Sequence, residues 1–250
     1  MKRWLYPLAL LAALIGLWQL AASSGFMAEV MNLEDFLVPS PAEIASELWA
    51  ERSLLAENGW VTLVEIVLGF ALSVFAGVLF ALAMHRWTTV RIAANPLVII
   101  SQAIPIIVFA PILVIWFGFG ILPKLIIIAL ICFFPITVST LDGLRLADPA
   151  AIKLMRTLYA SRGQILRRVE VPGALPSFFS GARIAAAIAP IGAVFAEWPG
   201  SNEGLGRLIV ITNANFRVAL TFATVVVLAA IAIALYALVA AAERRVVTWR

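Results

Sequence analysis

The sequence has few of the side chains from which enzyme active sites are built. Charged residues make up 13% of its 250 residues, and it has a single histidine, His85, and a single cysteine, Cys132. One cysteine cannot form an internal disulfide, and one histidine cannot supply a cluster of metal ligands. No glycine-rich loop ends in Lys-Ser or Lys-Thr, which excludes a P-loop ATPase. We therefore expect neither a catalytic site nor a cofactor.

Apolar residues, by contrast, are in large excess. They make up 63% of the chain, and the mean hydropathy is +1.04, whereas a soluble domain is about 45–50% apolar. The excess must face lipid, and because the apolar runs do not alternate with polar residues, they predict helices rather than strands. The formal charge of +4 lies beside these runs, which is typical of membrane topology and not of a nucleic-acid-binding face. The predicted fold class is an all-α membrane protein without a nucleic-acid partner.

Six apolar runs are long enough, or nearly so, to cross the hydrocarbon core, which takes about 20 helical residues. The first run could instead be a signal peptide. It is longer than the usual apolar core of such a peptide, about 7–15 residues, so a retained helix is favoured. The runs are residues 4–28, 59–84, 92–117, 125–141, 173–196 and 218–242.

The charges between the runs predict the orientation of the chain. If the N-terminus is cytoplasmic, all four inside segments are net basic, and the longest outside segment, residues 29–57, is strongly acidic. This pattern follows the positive-inside rule and predicts six transmembrane helices with both termini in the cytoplasm. Lys124 falls on the outer side, where its side chain is expected to snorkel to the interface. The inside segments are residues 1–3, 85–91, 142–172 and 243–250.

The chain is expected to have two regions. Residues 1–58 hold the first transmembrane helix and an acidic periplasmic segment, in which Ser40 should cap a helix over residues 41–49. Residues 59–250 form a core of five transmembrane helices, interrupted by the long cytoplasmic loop of residues 142–172.

The 142–172 loop should contain two short helices. Asp148 is a predicted N-cap with Pro149 at the first helical position, and Ser161 should cap a second helix over residues 162–169. The first helix has an apolar face with basic residues on its other side. It either rests on lipid headgroups or docks into a groove on another protein. The apolar face consists of Ala151, Leu154, Met155 and Leu158.

This loop resembles the EAA loop of the permease subunits of binding-protein-dependent ABC importers, in which Glu-Ala-Ala is followed by a glycine and then by Ile-x-Leu-Pro. Val169, Val171 and Pro172 take the places of the final Ile, Leu and Pro. Lys153-Leu154-Met155 stands at Glu-Ala-Ala, and Tyr159 stands at the glycine. The resemblance covers nearly the whole chain, and its other segments are Pro39-Ser40-Pro41, Gly181-Ala182-Arg183, Ala196-Glu197-Trp198 and Gly204-Leu205-Gly206.

The resemblance implies the fold and the partners. It implies a type I ABC importer permease, multi-pass in a prokaryotic inner membrane, that forms a homodimer. It also implies a cytoplasmic ATPase dimer, which hydrolyses ATP in a separate subunit, and an extracytoplasmic binding protein that delivers the solute. The residues expected to couple the permease to the ATPase are Ala151, Lys153, Leu154, Met155, Leu158, Tyr159, Ala160, Ser161 and Pro172.

Several residues within or near the spans have two interpretations each. Glu65 either makes a helix–helix hydrogen bond or lines the translocation pathway, because a carboxylate in lipid must face protein or water. Glu197 and Trp198 either anchor the chain at the interface or contact solute or binding protein. Arg183 is expected to snorkel or to pair with Asp142. Pro105, Pro111 and Pro135 are either tolerated within spans three and four, or they kink these spans around a central cavity. That cavity would include Gln102 and Phe109, so Gln102, Pro105 and Phe109 are candidate pathway residues.

The resemblance also bears on the solute. Ala196-Glu197-Trp198 is similar to members assigned to hydroxymethylpyrimidine, a thiamine precursor, or to riboflavin; sulfonates, taurine and nitrate are the alternatives. An ion-coupled secondary transporter is the rival class, but it predicts polar residues at mid-membrane and often an inverted repeat. A membrane-embedded enzyme would need clustered His, Asp or Glu residues, and the sequence shows none of these features.

Overall fold

The computed structural model describes residues 2–25, 29, 30, 32, 34–103, 105–199 and 201–249, and these residues contain helices and no strand. A 3₁₀ turn covers Asp35–Leu37, and a π-helical turn covers Leu166–Glu170. The helices are α1 (Lys2–Ser23), α2 (Pro41–Ala50), α3 (Arg52–Arg86), α4 (Thr88–Ala103), α5 (Ile106–Phe117), α6 (Ile121–Arg145), α7 (Pro149–Thr157), α8 (Arg162–Ile165), α9 (Val171–Glu197), α10 (Leu205–Ala214) and α11 (Val218–Val246).

Four helical stretches are long and apolar enough to cross a membrane: α3, α6, the stretch Arg162–Glu197 that includes α9, and α11. They confirm the all-helical, multi-pass architecture. Residues 4–23 of the first predicted span lie in α1, whose apolar part, Ala9–Ser23, is shorter, and residues 26–28 of that span are outside the described residues. The count of six spans stays a prediction.

The third predicted span is two helices rather than one. Helix α4 ends at Ala103 and α5 begins at Ile106, with Pro105 between them in an extended conformation. Proline has no backbone N–H and a fixed φ, so it suits the start of a helix better than its interior. Pro96 and Pro111 are nevertheless accommodated within α4 and α5.

The chain forms two compact units, the first made of Met1–Val61 and Asn202–Leu228. Its core includes Ile44, Leu55 and Leu220. Ser40 caps α2 as predicted, because its hydroxyl accepts from the Glu43 N–H while the Glu43 carboxylate accepts from the Ser40 N–H. The helix runs to Ala50, one residue beyond the predicted end.

The second unit consists of Thr62–Ser201 and Ala229–Arg250. Its largest core cluster joins Ile66 of α3, Ile128 and Ile136 of α6, and a row of alanines on α9. Gly181 brings α9 against α6, since an added Cβ there would lie 2.6 Å from the Ser139 Cβ. Close approach through small residues is how helices in lipid gain packing energy. The α9 alanines are Ala185, Ala186, Ala189 and Ala193.

The 142–172 loop has the predicted caps but a different second helix. The Asp148 carboxylate accepts from the Ala150 N–H at the start of α7, and Ser161 forms a capping box with Gln164. The second predicted helix, over residues 162–169, is not a separate helix. Helix α8 is followed directly by the π turn, and the π turn is followed directly by α9. The Val171 N–H donates to the Leu166 carbonyl in this wider turn, which helps the helix accept Pro172.

Candidate functional site

Helix α7 carries an apolar face that the chain itself leaves uncovered. Leu154 is 61% exposed and Leu158 is 68% exposed, whereas Ala151 and Met155 are half-buried. Lys153 points to solvent as well. Exposed leucines on a short capped helix outside the spans mark a surface on which another protein can bury apolar area.

Tyr159 closes α7 in a backbone conformation that favours glycine. Its φ is +55°, in the left-handed region. The Tyr159 N–H donates to the Arg156 carbonyl and the Ala160 N–H donates to the Met155 carbonyl, which together form a Schellman motif. A left-handed conformation costs a residue with a Cβ about 1–2 kcal/mol. The ring is 96% exposed, so no packing within the chain offsets this strain.

A hydrogen bond between His85 and Glu170 ties the loop to α3. The His85 Nε2 lies 3.0 Å from the Glu170 carboxylate, and both side chains are largely buried. Glu170 ends the π turn just before α9, while His85 is the next-to-last residue of α3. The loop is therefore held to one transmembrane helix by a side-chain contact and to another by a continuous backbone.

A second group of polar side chains is buried in the same unit, at the opposite end of α9. The Lys124 Nζ lies 2.6 Å from the Glu65 carboxylate and donates to the Ser201 hydroxyl at 2.8 Å. The Thr62 hydroxyl donates to the Glu197 carboxylate at 2.6 Å, and the Glu65 and Glu197 side chains also interact. We call these five residues the buried polar cluster.

The buried polar cluster changes the interpretation of three residues. Glu65 is 3% exposed and Glu197 is fully buried. Lys124 does not snorkel to the interface as expected, because it pairs with Glu65. An intramembrane charge is costly unless it is paired, and the salt bridge pairs the charge of Lys124 with that of Glu65. Arg183 likewise pairs with Glu243 at 2.7 Å rather than with Asp142.

The remaining predicted pathway residues lie elsewhere in the second unit. Trp198 follows α9 and packs edge-on against Phe195, with ring centroids 5.5 Å apart. Pro105 precedes α5, and Phe109 is half-buried on it. Gln102 lies in α4, and its side chain is outside the described residues. The structure thus brings Glu65 and Glu197 together, while Pro105 and Phe109 belong to a different helix.

Sequence reasoning missed Lys124, Thr62 and Ser201 as partners of the two acids, and it missed the His85–Glu170 pair. One signal was present in the sequence. Glu65 is the only charged residue in the second apolar run, and Lys124 lies beside the fourth run on the same predicted side of the membrane. Because intramembrane charges tend to pair, these two residues were natural partners.

Comparison with known proteins places the chain in a family. The family model described as binding-protein-dependent transport system inner membrane component matches residues 73–248. A probable ABC transporter permease protein of Haemophilus influenzae is 39% identical over 94% of this chain and 93% of its own length. The formylaminopyrimidine transport permease protein ThiX of Halalkalibacterium halodurans is 36% identical over 98% of this chain and 96% of its own length.

Further similarity extends to a third relative and to a solved structure. The riboflavin transport system permease protein RibX of Chloroflexus aurantiacus is 36% identical over 97% of this chain and 89% of its own length. The crystal structure of an amino acid ABC transporter with histidines matches with a TM-score of 0.62 at 17% identity, over 79% of this chain and 96% of that chain, and so shares the fold. The chain therefore belongs to the family of binding-protein-dependent transport inner membrane components, and it is the permease subunit of an ABC transporter.

Proposed function

We propose that this permease is the membrane subunit of an ATP-driven importer and works as a homodimer. It crosses the membrane six times with both termini in the cytoplasm, so that residues 59–250 form the five-helix core. ATP hydrolysis takes place in a separate ATPase dimer, and an extracytoplasmic binding protein delivers the solute. The observation that carries the proposal is the uncovered apolar face of α7, which lies on a loop fixed to two long helices.

The ATPase would grip this loop through α7 and the turn that follows it. Leu154 and Leu158 are the main apolar contacts, and Tyr159 presents its whole ring. The other residues of the surface shape or border it, and they are Ala151, Lys153, Met155, Ala160, Ser161 and Pro172.

Movement of the ATPase would then act on the transmembrane helices directly. The π turn continues into α9, and the His85–Glu170 pair connects the same turn to α3. When ATP closes the ATPase dimer, a displacement of α7 therefore turns both helices. A short helix joined rigidly to transmembrane helices is suited to this kind of domain motion.

Replacing Leu154 by serine tests the docking surface. We expect ATPase association to weaken about tenfold or more, because a leucine buried at an interface contributes about 1.5–3 kcal/mol. Leu146→Ser is the matched control, since Leu146 is exposed in the same loop but precedes α7. ATPase binding to the permease in nanodiscs measures the effect. Equal weakening by both substitutions, or by neither, contradicts the proposed docking face.

Single cysteines test the orientation. Cys132 is buried and should react little with a membrane-impermeant maleimide. A cysteine at Lys153 should be protected in intact cells and labelled in inverted vesicles, whereas a cysteine at Glu57 should show the reverse. Labelling of both from the same side would contradict the six-span topology.

For the solute we propose a pyrimidine precursor of thiamine or a riboflavin-like compound, because the relatives named for such solutes are 36% identical to this chain. Relatives named for aliphatic sulfonates and for taurine cover as much of the chain at only 26% and 28% identity. The pathway residues we propose are Glu65, Gln102, Pro105, Phe109, Glu197 and Trp198. Uptake of labelled hydroxymethylpyrimidine, formylaminopyrimidine and riboflavin by proteoliposomes with the ATPase and binding protein tests this. Taurine, an alkanesulfonate and nitrate are the comparison solutes, and uptake of one of these instead would replace the assignment.

A further inference from the structure

A cavity of about 450 Å³ lies between the end of α3 and the 142–172 loop. This volume falls within the roughly 300–1,000 Å³ typical of ligand sites. Its charged and titratable lining residues are Arg86, Arg156, Arg162, His85 and Glu170. Glu170 is the one acid among them and is already paired with His85. Three arginines therefore line one cavity whose single acidic residue is paired with His85. This is the composition of an anion site.

The cavity and the apolar face lie on different sides of α7. At 100° per residue, Arg156 stands about 160° from Leu158 and Leu154 around the helix. An ATPase seated on the leucines would leave the side of Arg156 free. An anion that binds in this cavity would thus come more readily from the membrane than from the docked ATPase.

The position along α3 also indicates lipid. His85 and Arg86 are the last two residues of this transmembrane helix, so the cavity opens at the level where headgroups begin. Trp87 follows them, is exposed, and has the Arg86 guanidinium 6.0 Å from its ring centroid. Tryptophan beside arginine is typical of the membrane interface, and basic pockets at the cytoplasmic ends of helices recognise phosphate headgroups.

We propose that this cavity binds the phosphate group of an anionic lipid, held by Arg86, Arg156 and Arg162. The headgroup would fill the space between α3 and the 142–172 loop and brace α7 from its basic side. The two interpretations of α7 from the sequence, headgroup contact and protein docking, are then both correct, each for one side of the helix. The inference does not depend on which solute is transported.

The test uses delipidated full-length permease in detergent, with the thermal unfolding midpoint as the readout. Dioctanoyl phosphatidylglycerol should raise the midpoint, and dioctanoyl phosphatidylcholine should do so only weakly. The double variant Arg156→Gln/Arg162→Gln should need about tenfold more phosphatidylglycerol or greater for the same rise. Arg167→Gln/Arg168→Gln is the matched control, because it removes two exposed charges from the same loop outside the cavity, and it should respond as the wild type does. High salt should weaken the response.

Each contrary result has a definite meaning. An unchanged response of Arg156→Gln/Arg162→Gln, or an equal loss in Arg167→Gln/Arg168→Gln, overturns the site. If inorganic phosphate acts at lower concentrations than the lipid, the ligand is a soluble phosphate and the headgroup assignment fails. If the double variant loses ATPase binding but keeps the lipid response, the cavity serves protein docking and the proposal fails. Should the double variant not fold, Arg156→Gln and Arg162→Gln are measured singly, and each must show a weaker lipid response.

Discussion

Replacing Tyr159 by glycine should stabilise the turn after α7 and at the same time weaken ATPase docking. The residue has φ +55°, which costs a residue with a Cβ about 1–2 kcal/mol. Glycine removes that strain but adds backbone freedom to the open turn, worth about 0.5–1 kcal/mol. In Tyr159→Gly the closed turn should therefore be more stable, relative to the open turn, by roughly 0.5–1 kcal/mol than in the wild type.

Hydrogen exchange measures this balance at one amide. The Ala160 N–H donates to the Met155 carbonyl at 3.0 Å, and that bond exists only while the turn is closed. Exchange of this amide in Tyr159→Gly should therefore be about two- to fivefold slower than in the wild type. Tyr159→Ala is the control, because it removes the ring but keeps a Cβ in the left-handed conformation, and it should not slow exchange.

Although Tyr159→Gly should stabilise the turn, it should weaken ATPase binding. Both variants lose an aromatic ring that is 96% exposed in the chain alone, so both should bind the ATPase less tightly than the wild type. Glycine would then give a more stable turn and a poorer contact surface. Faster exchange in Tyr159→Gly than in the wild type would refute the strain argument, and unchanged ATPase binding in both variants would refute the role of the ring.

Three further changes test the second unit. Lys124→Met should destabilise the permease by about 3–5 kcal/mol, because it leaves the buried Glu65 carboxylate without its cation. The double variant Glu65→Gln/Lys124→Met should regain much of that stability. A thermal unfolding midpoint as low in the double variant as in the single one would argue against the pair. Gly181→Leu should lower the unfolding midpoint strongly, since its side chain would collide with α6, but Gly16→Leu, with open space around the residue, should change it little. His85→Gln should speed hydrogen exchange in the 142–172 loop by loosening its tie to Glu170, and exchange equal to the wild type would show that the backbone alone holds the loop.

Features set by neighbouring residues could be predicted from the sequence. Ser40 and Asp148 cap the helices that follow them because their side chains reach backbone N–H groups two or three residues away. Four of the six apolar runs lie in long helices for the same local reason, since a helix satisfies its own backbone in lipid. The apolar face of α7 also followed from spacing alone.

Features that join distant segments could not be obtained in this way. The Glu65–Lys124 bridge links residues 59 positions apart, and the topology that joins them is a product of the whole unit. The break at Pro105 and the continuation of α8 into α9 were not predicted from the sequence, and the reason is different. A proline permits either a kink, a stop or a wider turn, and tertiary packing selects among them.

The continuous stretch Arg162–Glu197 has 36 residues, and at about 1.5 Å per residue it forms a rod roughly 54 Å long. One end carries Arg162, at the cavity beside the end of α3, and the other carries Glu197, in the buried polar cluster. If such a rod pivots near its middle by about 10°, its two ends move by about 5 Å in opposite directions. Opening on one side of the membrane and closing on the other are then a single rotation. Gly181, near the middle of the stretch, and the alanines that follow it pack against α6, so such a rotation would pivot where the two helices are in contact.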